Sequence, residues 1–110
     1  MATPKLYGVY TARFPYLERS KDKVRPVAVV SRSHGEFGVV AIVPISSKSD
    51  LEIVDVRLSG LESAGLAKAS VARVHRLTTM LQADLIAELG QLSSKDIQAL
   101  KASLRKFLEL

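Results

Sequence analysis

Residues 25–47 read RPVAVVSRSHGEFGVVAIVPISS, and this stretch decides the fold. It holds two apolar runs, residues 26–32 and 37–45, with the short polar segment 33–36 and its glycine between them. Two apolar runs joined by such a turn predict a β-hairpin. The first run is apolar on both faces, which is typical of a strand inside a sheet. Pro44 lacks a backbone N–H, so we expect the second strand to bulge or end there.

Further strands are predicted on both sides of the hairpin. Aromatic and branched residues predict a strand over 5–13. Alternation of polar and apolar residues predicts a half-buried strand over 51–58, and residues 70–77 predict a fifth strand. Residues 81–92 fit a short helical turn followed by a short strand. Several short strands separated by turn signals are typical of a small barrel or a strongly bent sheet.

The last segment of the chain is predicted to be a helix. Ser93 is placed to accept a hydrogen bond from the backbone N–H of Asp96, which is a helix-capping pattern. We therefore expect an α+β fold, mainly β, with five or six strands and the helix packed against them. The apolar residues of the helix recur at spacings of three and four and share one face: Ile97, Leu100, Leu104, Phe107 and Leu108.

Length and composition limit what the chain can be. Its 110 residues fit a single domain, which we expect to span residues 1–110. Cysteine is absent and there are two histidines, so disulfides and thiolate metal sites are excluded and no metal or other cofactor is indicated. No apolar run reaches the ~18 residues of a membrane span, and residues 1–5 are not followed by a signal-peptide stretch. We therefore expect a cytoplasmic protein without a membrane partner.

Positive charge is concentrated in one segment. The chain has 16 Lys and Arg against 11 Asp and Glu, which gives a net charge of +5. A local basic segment indicates either a polyanion partner, such as RNA or DNA, or a solvated loop. Prolines and alternating charge predict a long loop here, and the basic residues in or beside it are Arg13, Arg19, Lys21, Lys23 and Arg25.

Arg25 and Ser46 are predicted to meet at one end of the hairpin. Arg25 directly precedes Pro26, which restricts it to extended geometry at the start of the strand. Ser46 and Ser47 follow the second apolar run, so chain direction alone places them at the same open end. Taken singly, an arginine before a strand is also typical of a surface charge, and paired serines are typical of a turn.

Arg73 and His75 are two residues apart in the predicted fifth strand and are expected to share a face. An arginine, a hydroxyl and an imidazole at one strand end suit the cleavage of RNA by its own 2′-hydroxyl. That reaction needs a base near the 2′-oxygen, an acid near the leaving 5′-oxygen and donors for the charge on the phosphoryl oxygens, and it needs no metal. A histidine in this position is also typical of a solvated strand residue.

These residues lie in segments that resemble the PemK/MazF-like toxins of type II toxin–antitoxin systems. The resemblance covers nearly the whole chain. Its most specific part is Arg-Pro-Val-x-Val-Val-Ser from Arg25, followed by Val-Pro-x-Ser-Ser from Val43. The other matching segments are residues 7–10 with Phe14 and Pro15, residues 65–74, residues 89–93 and the terminal helix.

The resemblance implies a small SH3-like barrel of five to seven strands with a C-terminal helix, assembled as a homodimer. It implies a metal-independent endoribonuclease that cuts single-stranded mRNA at short sequence motifs. The products would carry a 2′,3′-cyclic phosphate or 3′-phosphate and a 5′-hydroxyl. It also implies a cognate antitoxin whose acidic tail covers the RNA groove.

The resemblance also assigns roles to individual residues. Arg25 and Ser46 match the family's active-site arginine and hydroxyl. Arg25 is therefore expected to stabilise the phosphate and donate a proton to the leaving oxygen, and Ser46 to hydrogen-bond the scissile phosphate. Arg73 is expected to contact phosphate. His75 stands where part of the family carries a carboxylate, which makes it a candidate base. The residues expected to line the RNA groove are Arg19, Lys21, Lys23 and Ser47.

Two alternatives to an RNA-cleaving enzyme remain open. A related group of toxins with the same barrel binds a topoisomerase through C-terminal residues and does no chemistry, whereas residues 107–110 of this chain are expected to pack against the fold. The other alternative is a barrel that binds RNA or DNA without cleaving it. Fragment production from defined RNA in the presence of a chelator separates the enzyme from both.

Overall fold

Seven strands and two helices form the described part of the chain, which comprises residues 3–13 and 24–110 of a computed structural model. The strands are β1 (Gly8–Arg13), β2 (Val24–Val29), β3 (Val39–Ser46), β4 (Val56–Arg57), β5 (Val71–Ala72), β6 (Thr78–Leu81) and β7 (Leu85–Gln91). The helices are α1 (Leu61–Ala64) and α2 (Ser94–Leu108), and two single 3₁₀ turns lie at Val74–Arg76 and Gln82–Asp84.

The strands build one antiparallel sheet in the order β4-β5-β3-β2-β1-β7, and β6 pairs with the remaining length of β3. This confirms the expected mainly-β fold of five to seven strands with a C-terminal helix. The sheet has an open form, because no ladder joins β4 to β7 among the described residues. Strand β3 is its centre, since it pairs with β2 along one edge and with β5 and β6 along the other.

The predicted hairpin is confirmed as β2 and β3. Its register pairs Val27 with Pro44 and Val29 with Ile42, and the turn closes through a bridge between His34 and Val39. The strand does not end at Pro44 as expected, because it changes partner there. Strand β2 accompanies β3 up to Pro44, and β3 then pairs with β5 as far as Ser46. The missing N–H of Pro44 thus coincides with the end of the hairpin ladder.

The strand predicted over residues 51–58 is wrong for most of its length, because β4 contains Val56–Arg57 alone. A tight turn replaces the rest. The Asp55 N–H donates to the Glu52 carbonyl at 3.0 Å, and the Glu52 N–H donates to the Asp55 carboxylate at 3.1 Å. Ile53 lies inside this turn and is 86% exposed. The Asp55 carboxylate therefore binds the Glu52 N–H, which in a longer strand would pair with a neighbouring strand of the sheet.

The strand predicted over residues 70–77 is also shorter than expected. The chain leaves the sheet after Ala72, and Val74–Arg76 turns through a 3₁₀ helix that buries Val74 completely. Arg73 and His75 therefore do not share a strand face, and that expectation is wrong. The turn-then-strand interpretation of residues 81–92 is confirmed, since a 3₁₀ turn precedes β7. Strand β6 has no counterpart in the sequence prediction.

Apolar clusters cover both faces of the sheet. The first lies under α2 and joins residues such as Val9, Ala28, Val43 and Leu100. The second lies on the opposite face, and its members are Tyr10, Ala12, Val27, Val29, Val40, Ile42, Met80 and Leu85. Burial on both faces explains why the paired part of the hairpin, residues 27–29 with residues 42–44, is apolar in successive rather than alternate positions.

Helix α2 begins as predicted, with the Ser93 hydroxyl accepting the Asp96 N–H at 3.2 Å. Its first half packs against the sheet through the fully buried Leu100. Its end does not, because Phe107, Leu108 and Leu110 are exposed. The expected packing of the terminal residues is therefore wrong. In the part of the chain described, neither helix has the length and hydropathy to cross a bilayer.

Candidate active site

Arg25 and Ser46 lie on the same face and at the same end of the β2–β3 hairpin. Arg25 pairs with Ala12 of β1, and alternation along β2 puts its side chain on the face of Val27. Ser46 follows Ile42 and Pro44 by even steps along β3, so it occupies that face as well. The hairpin ladder ends at the pair Val27–Pro44, and Arg25 and Ser46 each lie two residues beyond it, at the open end of the hairpin. Both residues are half-buried at the rim of the second apolar cluster.

Ser46 ends β3 and starts a local turn. Its hydroxyl oxygen accepts the backbone N–H of Lys48 at 3.2 Å. This contact uses a lone pair of the oxygen, so the hydroxyl proton remains able to donate to a phosphoryl oxygen. Ser47 is exposed beside it. Arg19, Lys21 and Lys23 of the predicted basic loop lie outside the described residues.

Arg73 is buried, with 5% of its surface exposed, and its guanidinium holds the chain that follows Ser46. Nη2 donates to the Lys48 carbonyl at 3.1 Å and to the Asp50 carboxylate at 3.3 Å. Nη1 donates to the Asp50 carbonyl and, at 3.2 Å, to the Asp55 carboxylate. The backbone N–H of Arg73 donates to the Pro44 carbonyl at 2.8 Å. We call the set Lys48, Asp50, Asp55, Arg73 and His75 the loop clamp.

The carboxylate of Asp55 is fully buried at the centre of the loop clamp. Burial opposes its ionisation, but the hydrogen bonds it accepts from His75, Glu52 and Arg73 outweigh burial. Together they hold the pKa of Asp55 below its ordinary value. Asp55 is therefore an anion at neutral pH, and it is paired with a guanidinium and an imidazole at once.

His75 joins the loop clamp through its ring. Its Nδ1 lies 2.8 Å from Oδ1 of Asp55, and its backbone N–H lies 3.4 Å from the same oxygen. The side chain of His75 is 32% exposed, whereas the side chain of Asp55 is fully buried. The ring is therefore fixed on its Nδ1 side by the protein and partly open to solvent.

A continuous series of hydrogen bonds connects Ser46 to His75. The Ser46 hydroxyl accepts from Lys48, whose carbonyl accepts from Arg73, and Arg73 donates to Asp55, which is bonded to His75. The predicted residues Ser46, Arg73 and His75 thus belong to one bonded unit at the open end of the hairpin. Arg25 lies at the same open end of the hairpin, on strand β2.

Sequence reasoning missed Asp55, which connects Arg73 to His75. In the sequence it is one polar residue in the alternating run from Ile53 to Leu58, where a solvated strand position is the ordinary interpretation. The available signal is weak: an acidic residue stands between Val54 and Val56, so its neighbours on both sides are apolar.

Within residues 3–13 and 24–110, no group of three or more His, Asp or Glu side chains is arranged to hold a metal ion.

Residues 5–108 match the sequence model of the PemK-like, MazF-like toxins of type II toxin–antitoxin systems. The chain belongs to this toxin family. Comparison with curated proteins gives no significant match. The family assignment therefore rests on the sequence match over nearly the full chain, and it agrees with the segments around Arg25 and Val43 that carry the resemblance.

Solved structures of MazF-like proteins share the fold. The toxin MazF-mt6 of Mycobacterium tuberculosis is 22% identical with a TM-score of 0.74, over 94% of this chain and 97% of that one. An endoribonuclease from a mycobacterial species, solved with its cognate antitoxin, is 17% identical with a TM-score of 0.76, over 97% and 96%. The MazE–MazF structure from Deinococcus radiodurans is 12% identical with a TM-score of 0.75, over 100% and 99%.

Proposed function

We propose that this MazF-like toxin is an endoribonuclease that cleaves single-stranded mRNA at short sequence motifs without a metal. The observation that carries the proposal is that Arg25 and Ser46 lie on one face of the hairpin strands, each two residues beyond Val27–Pro44, the last pair of the ladder. A guanidinium and a hydroxyl on one face supply donors for the oxygens of a single phosphate. The mycobacterial neighbour described as an endoribonuclease supports the same class of chemistry.

The proposed reaction uses the 2′-hydroxyl of the substrate as nucleophile. A bond forms between the 2′-oxygen and phosphorus, and the bond to the 5′-oxygen breaks. The products are a 2′,3′-cyclic phosphate, which opens to a 3′-phosphate, and a 5′-hydroxyl. Negative charge on the phosphoryl oxygens rises in the transition state, so fixed donors there lower the barrier.

We assign roles to the described residues accordingly. Arg25 donates hydrogen bonds to the phosphoryl oxygens and to the leaving 5′-oxygen, and Ser46 hydrogen-bonds the scissile phosphate. His75 takes the proton of the 2′-hydroxyl. The burial of Arg73 favours a positioning role over the phosphate contact expected from sequence, because its guanidinium donors are bonded to Lys48, Asp50 and Asp55.

The partners follow from the same proposal. A basic chain of net charge +5 that binds RNA is also complementary to an acidic polypeptide, and we propose a cognate antitoxin whose acidic tail covers the RNA groove. Two neighbouring structures contain an antitoxin, which supports this partner. We further propose a homodimer that acts in the cytoplasm, where mRNA is found.

One observation favours the non-enzymatic alternative. The C-terminal residues Phe107, Leu108 and Leu110 are exposed, as a tip that binds a protein partner would be. A toxin that acts by binding a topoisomerase would use such a tip and would leave RNA intact.

The proposal is tested by identifying the chemical ends of the RNA fragments. Purified protein is incubated with a defined single-stranded RNA in EDTA, and the 3′ and 5′ ends of the fragments are identified by mass spectrometry. We expect a cyclic phosphate or 3′-phosphate and a 5′-hydroxyl. The proposal is overturned in favour of the binding alternative by two results together: RNA substrates that contain all short motifs stay intact, and induction of the protein is still toxic. Mapping RNA 5′ ends in induced cells supplies the cleavage sites.

A further inference from the structure

We propose that Asp55 is a positioning residue for the cleavage step, because it holds His75 in the tautomer whose Nε2 accepts the proton of the substrate 2′-hydroxyl. This inference rests on the proposed ribonuclease function. It adds a residue from a different stretch of chain to the site, and it explains how an imidazole at this position is made ready to act as a base.

The two oxygens of Asp55 are divided between different partners. Oδ1 lies 2.8 Å from Nδ1 of His75, and Oδ2 takes hydrogen bonds from Arg73 at 3.2 Å and from the Glu52 N–H at 3.1 Å. A carboxylate held on both sides cannot rotate to release the ring. Its complete burial keeps water from competing for Oδ1.

The tautomer follows from this contact. A neutral imidazole has one N–H donor and one acceptor nitrogen, and the nitrogen that faces a carboxylate carries the proton. Nδ1–H therefore donates to Asp55, and the lone pair is on Nε2, at the other side of a ring that is one-third exposed. Asp55 also stabilises the imidazolium that forms when Nε2 takes a proton, without itself being protonated.

The proton and electron changes balance with the groups named. The 2′-O–H bond breaks and its proton goes to Nε2 of His75, while the 2′-oxygen bonds to phosphorus and the 5′-oxygen leaves and takes a proton from water. The imidazolium then releases its proton to solvent and the neutral tautomer is restored. No oxidant, reductant or second substrate is required.

A purely structural role for Asp55 is the competing explanation. Asp55 also pairs with Arg73, which holds the chain after Ser46, so its loss disturbs the loop clamp as well as the ring. The test must therefore report on the imidazole itself and on the pH dependence of cleavage, in addition to its rate.

The first measurement determines the tautomer of His75 while the loop clamp is unaltered. The chain has two histidines, so His34→Gln, at an exposed turn residue, leaves the imidazole of His75 as the single one. We expect its ¹⁵N shifts above neutral pH to show a protonated Nδ1 and an unprotonated Nε2. A protonated Nε2 in the folded protein overturns the proposal whatever the variants do.

The second measurement compares Asp55→Asn with Glu52→Gln, which removes an exposed acid from the same turn. We expect Asp55→Asn to reduce cleavage roughly tenfold or more and to move the acid limb of the rate–pH profile to lower pH, because the charge that favours the imidazolium is lost. Glu52→Gln should leave rate and profile unchanged. A reduced rate with an unmoved acid limb would assign Asp55 a structural role and overturn the proposal.

The third measurement separates this inference from the proposed function. His75→Gln should reduce cleavage by roughly 10²-fold or more if the imidazole is the base. If the native chain cleaves RNA and His75→Gln still cleaves it, the role proposed for the Asp55–His75 pair is wrong, whereas the proposed ribonuclease function stands. RNA left uncut by the native chain would instead overturn the proposed function.

Discussion

The carboxylate of Asp96 accepts hydrogen bonds from the backbone N–H of Ser59 at 3.0 Å and from its hydroxyl at 2.9 Å. It also accepts the N–H of Gly60 at 2.8 Å. The first turn of α2 is thereby tied to the segment that begins α1. Burial raises the pKa of Asp96, but the hydrogen bonds from Gly60, Ser59 and Ser93 outweigh it and hold that pKa below its ordinary value.

The first prediction concerns acid stability. A carboxyl whose pKa is lowered on folding contributes stability that is complete above its unfolded value, 3.8, and is lost as the pH falls through the folded value. We expect Asp96→Asn to lower the free energy of unfolding by roughly 1–3 kcal/mol at pH 7, and by progressively less below pH about 4. Urea unfolding at several pH values measures the difference. The exposed Asp84→Asn is the control, and equal losses for both variants would contradict the assignment.

The second prediction concerns Arg73. Arg73→Met removes the guanidinium and leaves the buried carboxylate of Asp55 without its cationic partner. We expect the free energy of unfolding to fall by about 3–5 kcal/mol, as it does when one member of a buried ion pair is removed. Urea unfolding checks this, with the exposed Arg57→Met as the matched control, expected within about 0.5 kcal/mol of the native chain. A loss below about 1 kcal/mol for Arg73→Met would show that the loop clamp does not stabilise the fold.

The hairpin was predictable because its signals are local. Apolar runs, a glycine-containing turn and chain direction suffice to set Arg25 and Ser46 at one end, and the register agrees with that placement. The cap of α2 by Ser93 was predictable for the same reason, since the bond to Asp96 spans three residues.

The loop clamp was not predictable, because its contacts join residues about 20 positions apart. Asp55 and Arg73 are separated by 18 residues, and no period of the sequence relates them. The alternation that predicted a strand over residues 51–58 did mark the buried positions Val56 and Leu58. It did not predict the backbone conformation, because the Asp55 carboxylate accepts a hydrogen bond from the Glu52 N–H and closes a turn there.

The third prediction tests how closely α1 approaches β7. Gly65 ends α1 with a φ of 72°, and a Cβ there would meet the carbonyl group of Leu89. Gly35 has a φ of 81°, but a Cβ there would meet open space. We expect Gly35→Ala to cost about 1 kcal/mol, from the left-handed backbone alone. Gly65→Ala should cost at least about 2 kcal/mol more, because packed backbone must also shift. Thermal unfolding of the two variants gives the comparison, and equal losses would contradict the close approach.

The fourth prediction concerns the hydroxyl at the end of β3. Ser46→Ala removes a donor to the proposed phosphate and the acceptor for the Lys48 N–H. We expect cleavage to fall by roughly tenfold to a hundredfold, with the free energy of unfolding lowered by about 1 kcal/mol or less. Initial rates on a labelled RNA measure the effect. Ser49→Ala, an exposed serine three residues further on, should cleave at the native rate.

The fifth prediction concerns Arg25, the residue on which the proposed function most depends. Its side chain lies at the rim of the second apolar cluster, beside Ala12 and Val27, and is half-buried. Removing it should therefore cost little stability, less than about 1 kcal/mol. It should abolish cleavage, with a loss of at least roughly 10²-fold, because the fixed cation facing the phosphoryl oxygens is gone.

Arg32→Ala is the matched control for Arg25→Ala. Arg32 is exposed just beyond the other end of β2, so it contributes equally to net charge but stands at the turn of the hairpin. If net charge alone drives RNA binding and cutting, both variants lose activity by the same factor and lose salt dependence equally. If Arg25 acts at the scissile phosphate, Arg32→Ala keeps near-native rates while Arg25→Ala is inactive and still folded by circular dichroism. Retained cleavage by Arg25→Ala would remove the proposed mechanism, because no other described residue on that face of β2 carries a positive charge.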